Sequence, residues 1–428
     1  MSRLIRVVVQ RIRQLGSRAL LLSSILFIGA CAGGGDNDAS NNTTGISGER
    51  DFDFTAMMAN YADNIILAGL RSFNSSFTGI DSIATSAISE YCDAIGSTSE
   101  ASALGEAQLQ WRNAMNLWQR QELLILGPLA ENGNARRNAV YSYASSAPPN
   151  TCSVDRSVAL AQNSEFDIQA RAFTSRGLDA LEYLLFNENL DHTCASQVAE
   201  TQNWNALAEL ERKTQRCEYA EQVASDIGNS SNVIIDAWAF DGGDFRTQFV
   251  NSVNANENLK RLSDAIFYFE IETKDTKLGM PTGLHANCRG LACPLAVESP
   301  HSQSSLANIR ENLHGFHLAL NGGDGLGFDD IIIAEGASFV VDNFNLNISA
   351  ALALISEMDT SLLNQSQGIV ASGDGSACGN SAANPDTIRT VPICSLHGYL
   401  KRITDSLRSD FLVIVDLDLP QRGQSDND

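Results

Sequence analysis

Two acids stand on one of the most apolar stretches of the chain, 173–186 (FTSRGLDALEYLLF), where Asp179 and Glu182 are three residues apart. At helical spacing such side chains share one face, so their carboxylates can converge on one cation or one polar ligand. Ala170, Phe173, Gly177, Leu181 and Leu184 form an apolar stripe beside them, which puts the acids at the edge of a buried surface. Glu122 has the same character. Trp111, Met115, Trp118, Glu122 and Ile125 follow one another by four, three, four and three residues, so this acid takes a stripe position that calls for a hydrophobe. A carboxylate there must be paired, protonated or bound to metal, because a lone buried charge is too costly. Arg171 and Arg176 are the cations that would pair it if no metal does. Oxygen donors of this kind favour hard cations such as Fe, Mn, Ca or Mg over zinc, which prefers nitrogen and sulfur.

The elements that must position these acids read as helices throughout. Helical patterns cover 57–73, 80–95 and 104–126, the last stopped by Gly127-Pro128, and after the acid-bearing helix a polar helix covers 204–228. Further helices run over 233–240 and 245–269, the latter ending near Lys274 and Lys277, and the passage into a second domain falls between these two helices, after residue 240. Leu278-Gly279-Met280-Pro281 reads as a loop. Ser299-Pro300 caps the next helix. Its buried face is Leu306, Ile309, Leu313, Phe316 and Leu320, and Ser302, Ser305, Asn308 and Asn312 line a polar face beside it. Helices over 329–358 and 399–415 close an all-α chain. Its length fits two helical-bundle domains, 52–240 and 241–415, followed by an acidic tail, 416–428.

Residues 1–30 hold five arginines and no acid, with a 12-residue apolar run, and Ile28-Gly29-Ala30-Cys31 has the form of a lipobox. The segment is a lipoprotein signal peptide, Cys31 is the expected lipidation site, and 31–51 is a small, polar, flexible tether. By resemblance to Gram-negative lipoproteins, alanine rather than aspartate at position 32 implies the outer membrane, facing the periplasm or the surface. No later segment reads as a transmembrane helix. Losing the five arginines takes the net charge from −22 to −27, which disfavours nucleic acid and draws cations. The remaining eight cysteines are an even set for an exported protein. Neighbours in sequence pair as Cys194–Cys217, Cys288–Cys293 and Cys378–Cys394, leaving Cys92–Cys152.

Four of these places together resemble the imelysin-like, M75 peptidase-like family. Its signature is Gly-x-His-x-x-Glu at the start of a helix; here Gly177, Asp179 and Glu182 fill those positions, with aspartate where the family has histidine. The Trp-rich helix with Glu122 before Gly127-Pro128, the Leu-Gly-Met-Pro loop and Glu298-Ser299-Pro300-His301-Ser302 are similar as well. The resemblance implies two helical bundles with a site in the cleft between them, and a link to iron-regulated uptake. The expectation is a lipid-anchored envelope protein that binds iron or another metal species, a divalent or iron cation, through Glu122, Asp179 and Glu182. Glu298, Ser299 and Ser302 approach from the second domain as ligand-binding residues, and metal-uptake components are the expected partners. The alternative is a metal-dependent M75-type peptidase with Asp179 and Glu182 as ligands and Glu122 as base. A third class, an envelope-structural role, has no residue signature.

Overall fold

The computed structural model describes residues 52–79, 82–143 and 150–420. The lipidation site Cys31, the signal peptide, the tether and the last part of the acidic tail lie outside the described residues. All regular structure among the described residues is helical, as the periodicity requires.

The N-terminal helices form a bundle around Trp111 and Trp118. A continuous helix over 54–74, capped by the Asp53 carboxylate on the Ala56 amide, packs with Ile83–Ala94, the Trp-bearing helix Glu100–Gln121, the acid helix Gly177–Phe186 and the long helix Glu209–Trp238. Trp118 meets Phe73 at 5.1 Å between ring centroids, and Trp111 meets Phe186 at the same distance. Burying rings of this size supplies much of the driving force for the bundle. The second group of helices is built from a continuous helix over 255–282, Ser305–Asn321, Ser338–Ser356 and Pro392–Ser406.

The two groups meet where Ser305–Asn321 runs along Glu100–Gln121. Gly315 lies so close to the Arg120 carbonyl that a Cβ there would collide, so the helices touch backbone to backbone. The described residues form one compact unit. Among the described residues one helix, Ser338–Ser356, is long and apolar enough to cross a membrane. It turns Val340, Phe344, Ile348, Ala351 and Leu354 into the core, the behaviour of an amphipathic core helix.

Several boundaries depart from the sequence pattern. The polar helix starts at Glu209 and runs on to Trp238. Leu278-Gly279-Met280-Pro281 is no loop: wide π-helical turns over Phe269–Gly279 pass into a last turn, Met280–Thr282, and the chain breaks only at Gly283, with φ 78°. Ser299-Pro300 does not start a helix either. Ser299 and Gln303 both have positive φ, 50° and 55°, which prevents helical propagation until Ser305. Two disulfides are as paired from sequence, Cys288–Cys293 and Cys378–Cys394. The other two are exchanged. Packing of Ile83–Ala94 against Glu209–Trp238 joins Cys92 to Cys217, and Cys152 joins Cys194 with Cα atoms 4.5 Å apart. Proximity in sequence was the wrong guide where the partner sits across a bundle.

Candidate functional site

The acid helix is shorter than the apolar pattern, since Phe173–Ser175 is a separate turn and the helix begins at Gly177. Gly177 has φ 79°, and a Cβ on it would stand 2.7 Å from the Val140 carbonyl oxygen. Only glycine fits both demands. The extended segment after Val140 therefore crosses directly over the helix start, and its donors reach Asp179. Asp179 Oδ2 accepts from the Ser142 amide at 2.9 Å, the Ser142 hydroxyl at 2.8 Å and the Tyr143 amide at 3.2 Å. Burial nevertheless pushes the Asp179 carboxyl up to about 6, against the pull of the Ser142 hydrogen bonds and Arg137.

Glu182, one turn further on, is met by the irregular turn that follows Glu298. The positive φ values at Ser299 and Gln303 aim the Ser302 amide at Glu182 Oε1, 2.7 Å away. Burial raises Glu182 to about 8, with the charges of Asp179 and Glu298 adding to the effect. Ser302 and Ser299 bind within the turn: the Ser302 hydroxyl accepts from the Ser304 amide at 3.3 Å, and the Ser299 hydroxyl accepts from Asn308 Nδ2 at 3.1 Å. Glu298 is fully buried. Its Oε1 accepts from Tyr141 OH, from Gln119 Nε2 at 3.1 Å and from Lys277 Nζ at 3.0 Å, whereas Oε2 has no hydrogen-bond partner. Burial first, and then the Glu298 charge, pushes the Tyr141 and Tyr143 phenols well above their usual range.

Glu122 caps the end of the Trp-bearing helix and is also fully enclosed. Neither Arg171 nor Arg176 pairs it. Arg171 Nε donates to Ser157 Oγ, and Arg176 is taken by Asp226. Instead Arg137 Nη2 donates to Oε1, and Lys277 Nζ donates to Oε2 at 2.7 Å. Burial opposes ionisation of Glu122, but Lys277 and Arg137 outweigh it and hold the carboxyl below its usual range.

The structure thus gathers all six acids and serines singled out from sequence, but in two layers: Asp179, Glu182, Ser299 and Ser302 on one side, Glu122 with its two cations on the other, and Glu298 between them. Four buried carboxylates face two bases, Arg137 and Lys277, so the fully ionised cluster carries −2. Arg112, stacked 4.6 Å over Phe186, is the further cation whose field reaches Glu182. Among the described residues, no three His, Cys, Asp or Glu side chains are grouped as a ready-made metal cage. In donor chemistry the cluster nevertheless suits a hard cation: its donors are oxygens, and one buried carboxylate oxygen is unpartnered. A cavity of about 450 Å³ opens beside the other end of the acid helix, lined by Leu184, Asn187, Arg212, Lys213 and Arg216 among others, and none of the four acids lines it.

Sequence reasoning missed Arg137, Lys277, Gln119 and Tyr141, whereas Asn312 stands on the polar face read from sequence. Gln119 carried one signal: it lies next to Trp118 and four residues after Met115, at the edge of the apolar stripe.

The family model for imelysin, peptidase M75, matches residues 76–384. An imelysin-like protein from Psychrobacter arcticum 273-4 superimposes with TM-score 0.61 at 13% identity, covering 86% of this chain and 96% of that one. A “putative iron-regulated protein A precursor” from Parabacteroides distasonis ATCC 8503 superimposes with TM-score 0.55 at 13% identity, covering 83% of this chain and 95% of that one. No curated protein gives a significant match. With the matched segment covering most of the chain and both structures sharing its all-helical fold, the protein belongs to the imelysin family.

Proposed function

We propose that this protein binds a divalent metal cation, iron among them, in the pocket of Asp179, Glu182 and Glu298, as a lipid-anchored component of metal acquisition at the outer membrane. The observation that carries the reading is the buried charge of −2. Burying uncompensated carboxylates is strongly unfavourable, and the cluster is neutralised by two protons or by one divalent cation. In the cation's absence Glu182, raised to about 8, holds a proton at neutral pH, and Asp179, raised to about 6, takes one as the pH falls below that value. Ser299 and Ser302 supply hydroxyl oxygens at the same place, and binding would draw the acids into a closed set. Family membership and the neighbour described as iron-regulated support a metal role. Cys31 supports the anchor, and metal-uptake components of the envelope are the partners such a role needs.

The peptidase reading assigns Glu122 as general base. Both of its oxygens are held by cations, which suits an anchor for Lys277 better than a proton acceptor. The test is elemental analysis and calorimetry on the full chain, compared with an Asp179→Asn/Glu182→Gln variant. The expected result is one equivalent of iron or manganese, lost in the variant. Equal metal content in both proteins, or none in either, would overturn the proposal.

A further inference from the structure

Lys277 is the residue that the proposed function does not use. Its ammonium is fully buried and sits in a cage of four oxygens: Gln119 Oε1 at 2.5 Å, Glu122 Oε2 at 2.7 Å, Glu298 Oε1 at 3.0 Å and Asn312 Oδ1 at 3.1 Å. The rings of Tyr141 and Tyr268 lie 5.9 Å and 5.8 Å from it. Such a cage holds an ammonium as a site would hold a monovalent cation. One of the acids it binds, Glu298, is also the acid whose charge acts on Asp179 and Glu182, and the other oxygen of Glu298 is a buried atom left without a hydrogen-bond partner.

We infer that Lys277 is a built-in cation that sets the charge of the ion this cluster accepts: together with Arg137 it offsets two of the four carboxylates, leaving −2, and so selects divalent over trivalent ions. The inference rests on the cation-binding reading above and adds a specificity-determining residue to it. Lys277 is a positioning residue and would not touch the bound ion. Among side chains as buried as these, one unit of charge a few ångströms away is large enough to change relative affinity by at least about tenfold.

The experiment measures affinities of the full chain for Mn²⁺ and Tb³⁺ by calorimetry, and reads their ratio. Lys277→Met leaves the pocket at −3 and should move the ratio towards Tb³⁺ by about tenfold or more. Glu122→Gln/Lys277→Met removes one charge of each sign, and the ratio should return to the wild-type value although the lysine is absent. A merely structural lysine would lower both affinities together in both variants, and that result would overturn the inference. If Lys277→Met does not fold, Glu122→Gln alone leaves −1 and should move the ratio the other way; an unchanged ratio there also overturns it. A wild-type protein that binds neither ion would remove the cation-binding reading itself, whereas binding with an unshifted ratio would remove only the role of Lys277.

Discussion

Two buried ionic clusters hang on the same π-helical turns, Phe269–Gly279, and they differ in one respect. On one side Glu270 pairs with Arg408 at 2.5 Å and Asp275 with Lys274 at 2.7 Å, two acids for two bases. On the other, Lys277 reaches into the pocket where it and Arg137 serve four acids. The remaining buried acids among the described residues follow the first pattern. Asp155 has Arg216, Asp226 has Arg176, and Glu311 has Arg120. Burial of acids is therefore common in this protein, and uncompensated burial is confined to the pocket of Asp179, Glu182 and Glu298. A buried pair with its partner in place is close to neutral in its effect on stability, whereas an excess of one sign needs protons or a ligand.

The largest way to break this contrast is to deepen the imbalance. Arg137→Met would leave Glu122 with Lys277 alone and the pocket at −3, and should cost about 3–5 kcal/mol of stability near neutral pH, as removal of one partner of a buried pair does. Urea unfolding measures it, and adding a divalent cation should recover part of the loss. Next in size is Gly177→Ala. It places a side chain at φ 79° and against the Val140 carbonyl, so the segment carrying the Ser142 and Tyr143 amides must lift from Asp179. The expected loss is about 1–3 kcal/mol, with cation affinity falling as well. Wild-type affinity in that variant would show that the close approach serves packing alone.

Much of the pocket was legible because its acids violate an otherwise apolar pattern. Glu122 on the Trp111–Trp118 stripe and Asp179 with Glu182 among leucines are polar groups where burial is forced, so spacing alone marks them. The all-helical class followed from the same periodicity. The cations that answer these acids were not legible, since Lys274 and Lys277 in a charged stretch look like a solvated helix end. They are buried because the chain continues as π-helical turns through Gly279 and packs between Ser305–Asn321 and Pro392–Ser406, a tertiary fact with no local signature. Arg137 follows the turn-forming Asn132-Gly133-Asn134, with positive φ at all three, and reads locally as surface. The turn at Ser299–Gln303 likewise looks like a capped helix start, and only its left-handed residues make it a loop that points an amide at Glu182. Glu122's pairing was foreseen in kind but assigned to the wrong arginines, because a helix stripe fixes which face is buried and not what lies across from it.

The smallest expected effect sharpens the comparison through pH. Asp179 and Glu182 have folded-state values raised to about 6 and about 8 by burial, from 3.8 and 4.5. For an acid raised in this way, the folded state binds more protons than the unfolded one, so the stability it contributes is complete below about pH 4 and is lost as the pH climbs through the raised value. Without metal, the wild-type protein should therefore lose stability steadily from about pH 4 to about pH 8. Glu270, raised to about 7 by burial despite Arg408, adds to this slope, so the informative quantity is the difference between proteins. Glu182→Gln cannot ionise. It should match the wild type near pH 4.5 and exceed it by about 1 kcal/mol or more at pH 8, a reversal of the usual sign for removing a charged core residue. Asp226→Asn, taken from a balanced pair, should instead destabilise at both pH values because it strands Arg176. Saturating Mn²⁺ should flatten the wild-type slope and cancel the advantage of Glu182→Gln, since the cation then takes the place of the protons. Parallel pH profiles for wild type and Glu182→Gln, with and without the ion, would show that the excess acids are compensated by something other than protons or a cation, and would remove the distinction between the two clusters.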